Sequence, residues 1–404
     1  MVDCKKRVCI RIPCIVTVNT QFTLFHFFSH TIFCKKQKIL VAAVWSVHRI
    51  KSEKGDQDRS TGVRVADREK EPMATKEHQK YMTLDRFLVQ RQEKFPRARG
   101  ELTRVIKQVG VVGKIISHYM RRAAMEGLRG LTGERNVQGE EVKKLDELGN
   151  AVFVESFEYV NIVGALVSEE MDEAKIMAPA GKSEKYVVLV DPIDGSSNLD
   201  VDCVIGSIFS IRRLNGTVEQ SILQKGTEQV AAGYIMYGTS TILVYSAGDG
   251  VHTFVLDEQI GEFVLDHDNL RMPNQGKIIS SNFGNYDRWS PPARKFTNDT
   301  GTSPKNRYSL RYSGALVADL HQILHRGGIY FYPADDKHPN GKLRLLYECA
   351  PLAMIAEQAG GASTTGKMRV LDVHPDSIHQ RVPFAIGSQF EIGKFEEAHG
   401  GYHE

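Results

Sequence analysis

Apolar residues recur at helical spacing through the region that begins at Thr83. Thr83 precedes the amphipathic run TLDRFLVQRQ, and threonine is a favoured N-cap residue, so a helix is predicted to begin here. The following run, GELTRVIKQVGVVGKIISHYMRRAAM, repeats its apolar side chains every three or four residues, which predicts a long second helix. A third helix is predicted over EEVKKLDELGNAVFVESF, residues 140–157.

The pattern changes to short β-branched segments from residue 185 onward. Glycine or polar turns separate segments that predict strands: KYVVLVD, VIGSIFSIRR, VAAGYIMYG, TILVYSA, VHTFVLD and GEFVLDH. Farther along, SLRYSGALVADLHQILHRGG and YECAPLAMIAEQAGG predict helices, and GGIYFYPA between them predicts a strand. Helices, then strands, then an alternation of both predict an α/β fold in which helices lie between layered sheets.

Composition limits the classes of function that the chain can have. Its 404 residues are 41% hydrophobic and 25% charged, which is typical of a globular protein with one large or two medium domains. The net charge of +3 gives no indication of nucleic-acid binding. No apolar run approaches the roughly 20 residues of a membrane-spanning helix. The 6 cysteines form no C-x-x-C pair, so we expect a reducing compartment and neither disulfides nor a zinc site.

The first 72 residues differ in composition from the rest of the chain. Asp3 is the only acidic residue among the first 50, and a basic, acid-poor leader is typical of an organelle-targeting segment. The leader is also poor in serine, and Met73 offers an alternative start, which favours an extension without a role in the fold. We therefore expect residues 1–72 to be a disordered or targeting extension. The cytoplasm is the expected compartment, with a plastid or another organelle as the alternative.

The clearest candidate chemistry lies in YVVLVDPIDGSSNLD, residues 186–200. A buried strand that ends on Asp191 and Asp194 brings two carboxylates near one point, where their burial without a cation is costly. Such oxygen ligands suit Mg²⁺ or Mn²⁺. The glycine and serines of residues 195–197 offer a bent backbone with free N–H groups and hydroxyls, as in phosphate-binding turns. A surface Asp-Pro turn is the alternative for DPID alone, but the combination favours a metal-and-phosphate site.

Other carboxylates are candidates on weaker grounds. Glu169 and Glu170 follow the apolar run IVGALVS, and adjacent strand residues face opposite ways, so both reach one site only from a bend. A solvated acidic turn is the alternative for this pair. Asp146 falls on the apolar face of the predicted third helix, which suits a ligand of a site. Glu348 lies in an apolar helical stripe, where either an ion pair with Arg344 or a metal ion would compensate its charge. The alternative is that Pro351 marks the first helical turn, which would leave Glu348 just before the helix.

Together, DPIDGSSN, SEE, GEEVKKLD and GKLRLLYECAP resemble class I fructose-1,6-bisphosphatase, within the lithium-sensitive sugar and inositol phosphatases. SLRYSGALVADLHQ and GGIYFYPA narrow the resemblance to that family, and it extends from about Thr83 to about Ser388. The resemblance implies a layered α/β/α/β/α fold, usually assembled as a homotetramer. It implies metal-dependent hydrolysis of the 1-phosphate of D-fructose 1,6-bisphosphate in gluconeogenesis or a sugar-phosphate cycle. It also implies a regulatory and metal-binding half, residues 73–265, and a sugar-phosphate-binding half, residues 266–404.

The resemblance also implies roles for individual residues. About two or three Mg²⁺ ions, with Mn²⁺ as the alternative, would be bound by Glu169, Glu170, Asp191, Asp194, Glu348, the Ile193 carbonyl and Glu140, which stands where an aspartate is more usual. Asp146 and Glu170 would orient and deprotonate the attacking water. The substrate would be bound by Asp194, Gly195, Ser196, Ser197, Asn282, Arg311, Tyr312, Tyr332, Lys342 and Arg344. Arg311 would reach this site from a neighbouring subunit.

Inhibition by AMP is implied as well, at a site near the start of the predicted second helix. The matching residues are Gly100, Glu101, Leu102, Thr103, Lys185, Tyr186 and Arg213. At this AMP site, Arg99 stands where a threonine is expected.

In the substrate loop, Phe283 stands where a glutamate is usual, so sedoheptulose 1,7-bisphosphate is an alternative substrate. Asp202 adds an acid beside the predicted metal site. A non-catalytic binding homologue is the remaining alternative, but it would require broken metal ligands.

Overall fold

The computed structural model describes residues 14–18, 21–25, 81–95, 98–128, 130–135, 141–177, 185–301 and 308–401. The chain divides into two compact units, Met1–Lys70 and Glu71–Glu404. In the first unit the described backbone forms an antiparallel pair of strands, β1 (Cys14–Val18) and β2 (Gln21–Phe25). The predictions for residues 1–72 otherwise lie outside the described residues.

Eight α-helices are described in the second unit; the hydrophobic pattern predicted five of them, but not those that begin at Val218, Pro291 and Gln389. They are α1 (Leu84–Glu93), α2 (Glu101–Glu126), α3 (Lys144–Glu158), α4 (Val218–Ile222), α5 (Pro291–Gly301), α6 (Leu316–Arg326), α7 (Ala350–Gln358) and α8 (Gln389–Ala398). The predicted cap of α1 is confirmed, because Thr83 Oγ1 accepts a hydrogen bond of 3.3 Å from the Arg86 amide. None of the helices in the described part of the chain is both long enough and apolar enough to cross a membrane.

Two sheets carry the described core. The larger has eight strands in the order β12-β11-β10-β9-β8-β7-β5-β6, in which β5 and β7 are parallel and the other neighbours antiparallel. Its strands are β5 (Val163–Ser168), β6 (Lys175–Ile176), β7 (Tyr186–Asp194), β8 (Ile205–Arg213), β9 (Gln229–Tyr237), β10 (Thr241–Ser246), β11 (His252–Asp257) and β12 (Glu262–His267).

The second sheet has five strands in the order β14-β13-β15-β19-β17. They are β13 (Ile278–Ser280), β14 (Ser309–Leu310), β15 (Ile329–Tyr332), β17 (Ala362–Thr364) and β19 (Phe384–Gly387). Two small antiparallel pairs complete the described strands: β3 (Leu131–Arg135) with β4 (Glu141–Lys143), and β16 (Leu343–Arg344) with β18 (Arg381–Val382).

Alternating side chains show how the sheets are layered between helices. On β8, Phe209 packs toward α1, α2 and α3, whereas its neighbour Ile208 packs on the opposite face, toward α6 and α7. On β15, Tyr330 packs toward α6 and α7, whereas Phe331 packs toward α5 and α8. Helices therefore cover both outer faces and separate the two sheets, and the predicted α/β/α/β/α arrangement is confirmed. The predicted division of the chain into halves at residue 265 stays a prediction.

Two predicted helices begin later than the pattern indicates. Residues 141–143 form β4 and pair with β3, so α3 begins only at Lys144. Leu345–Cys349 forms a π-helical turn before α7, in which the Ala350 amide donates to the Leu345 carbonyl. Pro351 at the start of α7 has no N–H, so it cannot close an ordinary helical hydrogen bond to Tyr347. Glu348 therefore lies just before the regular helix, as the position of Pro351 predicts, and the wider turn carries it.

Candidate active site

A β-bulge at the end of β7 places Asp191 and Asp194 together. Asp191 pairs with Ile208 of β8 and Asp194 pairs with Gly206, so β7 carries one more residue than its partner between these pairs. Side chains three residues apart on a regular strand would face opposite ways, and the extra residue removes that difference. Pro192 lies within the bulge, where its missing N–H breaks no ladder bond. The whole of β7 is buried, so the alternative of a surface Asp-Pro turn is wrong.

The Asp194 carboxylate is oriented by the first turn of α6. Its Oδ1 accepts a hydrogen bond of 3.1 Å from the Leu316 amide, and its Oδ2 accepts one of 2.8 Å from the Val317 amide. These N–H groups have no partner within the helix, and the positive end of the helix dipole favours the anion. Gly195 has a φ of 78°, and a Cβ there would lie 2.5 Å from the Ala315 Cβ. Only glycine therefore allows the turn to approach α6 this closely.

Glu169 and Glu170 lie at the same edge of the sheet because β5 runs parallel to β7. Strand β5 ends at Ser168, and the Glu169 amide still donates to the Val190 carbonyl at 3.1 Å before the chain turns. Glu169 and Glu170 therefore lie just after the end of a strand, where both side chains can reach one site. Arg344 Nη2 lies 2.9 Å from Glu169 Oε1, and both side chains are largely buried.

Glu348 reaches the two aspartates from the π-helical turn. One carboxylate oxygen from each of Asp191, Asp194 and Glu348 lies within 4.8 Å of the others. Glu348 Oε2 also accepts a hydrogen bond of 2.6 Å from the Arg344 amide. The Arg344 side chain meanwhile pairs with Glu169, so the expected simple Arg344–Glu348 pair is replaced by a shared arrangement.

Asp146 combines a structural role with a position in the site. It lies in the first turn of α3, and its Oδ2 accepts a hydrogen bond of 3.1 Å from the Lys143 amide, which caps the helix. The side chain is buried and lines the same cleft as the clustered carboxylates. Glu140, which precedes this helix, lies outside the described residues.

These elements enclose a cleft of about 230 Å³. Its lining includes most of the residues that the sequence predicts: Asp146, Glu169, Glu170, Asp191, Ile193, Asp194, Gly195, Ser196, Ser197, Tyr312, Tyr332, Lys342, Arg344 and Glu348. Asn282 and Arg311 are absent from the lining. Asn282 caps a short 3₁₀ helix by accepting from the Gly284 amide at 3.2 Å, and Arg311 is exposed.

Burial and mutual repulsion perturb the carboxylates strongly. Burial first, and then Glu169 and Asp194, raise the pKa of Asp191 well above its usual value. Burial raises the pKa of Asp194 to about 7, although the Val317 and Leu316 amides oppose the shift. Burial and Glu169 likewise raise the pKa of Glu348 to about 7, with Arg344 opposing. The cleft therefore holds more negative charge than the surrounding groups neutralise, which fits a site built for divalent cations.

Two of the sequence departures, Phe283 and Asp202, lie away from this cleft. The Phe283 ring packs edge-to-face on Trp289, with centroids 5.3 Å apart, in the aromatic cluster beneath α5. Asp202 lines a separate cavity with Ser117 and Tyr237, so the expectation that it adds an acid to the metal site is not supported by its position.

Sequence reasoning missed the groups that reach the site through the backbone. The Leu316 and Val317 amides hold Asp194, but their side chains give no signal of that contact. Tyr330 also lines the cleft, and its position on an apolar strand made it indistinguishable from a core residue. The glycine before α6 was the one available signal, because left-handed Gly314, with a φ of 84°, precedes the turn that delivers these amides.

A second cavity, of about 520 Å³, gathers most of the residues that the AMP prediction named. Gly100, Glu101, Leu102, Thr103, Tyr186 and Arg213 line it. Lys185 is not among its lining residues, but its Nζ lies 2.5 Å from Glu101 Oε1 at the rim. Left-handed Gly100, with a φ of 79°, starts α2 there, so the unbonded amides of a long helix face the cavity region.

Comparisons with known proteins give the family of the chain. The model for the N-terminal domain of fructose-1-6-bisphosphatase matches residues 82–268, and the model for its C-terminal domain matches residues 272–400. A "Fructose-1,6-bisphosphatase class 1" of Thermosynechococcus vestitus is 45% identical over 320 residues, which are 78% of this chain and 91% of that protein. One of Nostoc punctiforme is 45% identical over 319 residues, with the same coverage of 78% and 91%.

Solved structures agree with these matches. The crystal structure of Leishmania major fructose-1,6-bisphosphatase in holo form is 37% identical, with a TM-score of 0.75 over 79% of this chain and 99% of that chain. The crystal structure of the same enzyme in T-state gives a TM-score of 0.71 at 36% identity, over 79% and 98% of the two chains. With both domain models matched and a buried carboxylate cleft beside the DPIDGSS turn, the chain belongs to the class 1 fructose-1,6-bisphosphatase family.

Proposed function

We propose that this chain hydrolyses the 1-phosphate of D-fructose 1,6-bisphosphate, releasing fructose 6-phosphate and phosphate. The observation that carries the proposal is that a carboxylate cluster and a glycine-serine turn lie side by side in one cleft. Asp191, Asp194 and Glu348 form a carboxylate cluster, and the glycine-serine turn at 195–197 follows it directly. Membership of the family supports the same substrate, since its relatives carry that activity in their names.

Divalent cations fit the carboxylates of this cleft. The raised pKa values of Asp191, Asp194 and Glu348 reflect buried negative charge that lacks sufficient compensation. About two or three Mg²⁺ ions, or Mn²⁺ instead, would be held by these three groups with Glu169, Glu170 and the Ile193 carbonyl, which line the same cleft. Glu140, which lies outside the described residues, is proposed as a further ligand. When bound, such ions screen the phosphate charge and lower the pKa of the attacking water.

Asp146 and Glu170 are proposed to prepare that water. Both carboxylates line the cleft near the cluster, and a carboxylate within hydrogen-bond reach of a water can orient it and take its proton. The cap that Asp146 Oδ2 forms with the Lys143 amide fixes the rotamer of Asp146. Its position is therefore set before substrate enters, which reduces the entropy cost of alignment.

The turn at residues 195–197 is proposed to hold the scissile phosphate. Gly195, Ser196 and Ser197 line the cleft, where their backbone N–H groups and the two hydroxyls would supply donors to phosphate oxygens. The same donors stabilise charge as it moves to the leaving C1 oxygen, in a largely dissociative transition state. Arg344, held by Glu169, would approach from the cation side.

The far end of the substrate is proposed to contact the residues across the cleft. Lys342, Tyr312 and Tyr332 line that end, and the Tyr332 hydroxyl is positioned by a 3.1 Å hydrogen bond from Asn285 Nδ2. Lys342 would pair with the 6-phosphate, and Asn282 would join from its capped turn. Binding energy from this remote phosphate positions the reacting one.

A homotetramer is proposed as the working assembly, because Arg311 would contribute to the substrate site of a neighbouring subunit. The side chain is exposed and does not line the cleft of its own chain. An arginine delivered from a neighbouring subunit would suit bidentate contact with the 6-phosphate. The cytoplasm is the proposed compartment, within carbohydrate metabolism.

AMP is the proposed inhibitor, bound in the cavity at the start of α2. The free amides after Gly100 and the nearby Lys185 and Arg213 offer donors to a phosphate group, and Tyr186 offers a ring face. Arg213 already lies over the Tyr186 ring, 6.0 Å from its centroid. The Glu101–Lys185 pair would have to open for Lys185 to reach the phosphate.

Phosphate release by the full-length chain tests the proposed activity. Fructose 1,6-bisphosphate and sedoheptulose 1,7-bisphosphate should be compared with and without Mg²⁺. We expect Mg²⁺-dependent release that is faster from the fructose substrate. Faster release from the sedoheptulose substrate would instead indicate a sedoheptulose-1,7-bisphosphatase. Release from neither substrate would favour a non-catalytic homologue.

A further inference from the structure

Three histidines cluster at the end of α6 that lies away from the carboxylate cleft. His321 and His325 occupy successive turns of the helix, and their rings meet edge-to-face with centroids 4.7 Å apart. His267, the last residue of β12, meets His325 in the same manner at 5.5 Å. The cluster therefore joins a helix to the edge strand of the eight-stranded sheet.

Hydrogen bonds orient the two outer rings of this histidine cluster. His321 Nδ1 lies 2.8 Å from the hydroxyl of the fully buried Tyr234, and His267 Nδ1 lies 2.8 Å from Asp266 Oδ2. In each ring this occupies the Nδ1 atom and leaves the Nε2 atom for another partner. Metal-binding histidines are commonly held in this way, by a hydrogen bond at the nitrogen that does not bind the metal.

Their surroundings favour the neutral imidazole for the two histidines of α6. Burial, and then the neighbouring His325, lower the pKa of His321 to about 4. Burial and His267 also lower the pKa of His325. The other charged groups facing these rings are Asp266 and Arg326. Neutral rings keep the nitrogen lone pairs that a metal ion requires.

We propose that His267, His321 and His325 bind a divalent transition-metal ion of the Zn²⁺ or Ni²⁺ class. Two histidines on successive turns of one helix face can share a metal ion, and a third from an adjacent strand completes an imidazole set. Imidazole nitrogens select such ions over Mg²⁺, which prefers the oxygen ligands of the cleft. As the rings stand, the three histidines do not bring three nitrogens within 4.8 Å of one another; among the described residues only the carboxylate cluster has such a set of ligand atoms. His267 and His325 are exposed, so their side chains would turn toward His321 Nε2 when the ion binds.

The site is separate from the carboxylate cleft, although one helix connects them. The first turn of α6 holds Asp194, whereas the histidines lie on its last two turns and beyond. His321 and His325 lie four and eight residues beyond Val317, which is about 6 and 12 Å along the helix axis at the usual rise per residue. Binding at one end is therefore measurable while the other end is occupied by Mg²⁺.

Calorimetric titration of the full-length chain with Ni²⁺, in excess Mg²⁺, tests the site. The variants are His325→Ala and His267→Ala, with His118→Ala as the matched control on α2. His118 is exposed and packs on Tyr119, away from the cluster. Histidines and cysteines outside the described residues contribute equally to every variant, so the difference between variants isolates this site.

We expect the unchanged chain and His118→Ala to bind one more equivalent of Ni²⁺ than either cluster variant. Asp266→Asn should weaken that equivalent by about 10- to 100-fold, because it removes the group that orients His267. Thermal unfolding without Ni²⁺ verifies that each variant is folded. Equal stoichiometry and affinity in all variants, or chelation only at millimolar Ni²⁺, would overturn the proposal.

Discussion

Asp194, at the end of a central strand, accepts a 2.8 Å hydrogen bond from the amide of Val317, in the first turn of a helix that is distant in sequence. The contact ties β7 to α6 and fixes the orientation of a carboxylate that is otherwise destabilised by burial. Both oxygens of the carboxylate are thereby held by the protein, and Asp194 lines the cleft. The position of Asp194 relative to Asp191 and Glu348 is therefore set by these hydrogen bonds.

Asp146→Asn tests the proposed preparation of the attacking water. Asparagine can still cap α3 by accepting from the Lys143 amide, so the fold should be retained. We expect kcat to fall by about 10²- to 10⁴-fold, the usual contribution of a positioned general base, with KM changed little. Steady-state kinetics measure both parameters. Asp202→Asn is the matched control, since Asp202 lies outside the cleft; similar losses in the two variants would contradict the assignment.

Stability without a cation should fall as pH rises. The pKa values of Asp194 and Glu348 are about 7 in the folded chain, against about 4 in unfolded chains. Between these limits the folded state binds more protons than the unfolded state, so the free energy of unfolding falls as pH rises. The contribution of these two carboxyl groups is complete below about pH 4 and is lost as pH rises through about 7.

Mg²⁺ should therefore raise the thermal unfolding temperature more at about pH 8 than at about pH 6, because at the higher pH it compensates ionised carboxylates. Differential scanning calorimetry measures the two increments. Glu348→Gln should reduce their difference, because glutamine accepts the Arg344 amide without titrating. An increment independent of pH would argue against cation binding by these groups.

Lys342→Met tests the proposed ion pair between Lys342 and the 6-phosphate. Removing one charge-assisted hydrogen bond should raise KM for the bisphosphate by about 10- to 100-fold. Lys337→Met is the control, since Lys337 is exposed and does not line the cleft. The effect should shrink for fructose 1-phosphate, which lacks the remote group. An equal effect on both substrates would assign Lys342 to the scissile phosphate instead.

Arg213→Ala tests the proposed AMP site. We expect the AMP concentration that gives half inhibition to rise by about 10-fold or more, because a charged donor near the cavity is removed. Activity without AMP should be unaffected. Arg104→Ala, an exposed arginine of α2, is the control. An unchanged chain that keeps full activity at millimolar AMP would remove the basis for this site.

The sequence predicts the elements better than the local geometry that completes the site. Apolar periodicity was sufficient for α1 and α2, which bury one regular face, and short β-branched runs between turn residues were sufficient for the strands from β7 to β12. The bulge that brings Asp191 and Asp194 together depends on pairing with β8, which no single segment encodes. The position of Glu348 just before α7 was predictable from Pro351, but the π-helical form of the turn that carries it was not.

The same distinction applies to the groups around the site. The carboxylates were identifiable because charged residues beside apolar runs require compensation. The Val317 amide was not, because every residue carries one and only the fold selects which of them meets Asp194. The pairing of Arg344 with Glu169 rather than with Glu348 alone likewise depends on how two distant loops meet.

Phosphate release from fructose 1,6-bisphosphate in the presence of Mg²⁺, measured for the unchanged chain and for Asp194→Ala, tests the central claim most directly. The cluster around Asp194 is proposed to hold the cations, so the variant should lose about 10²-fold or more in kcat. Its far-ultraviolet circular dichroism should match that of the unchanged chain. A folded Asp194→Ala variant that retains full Mg²⁺-dependent activity would contradict the account.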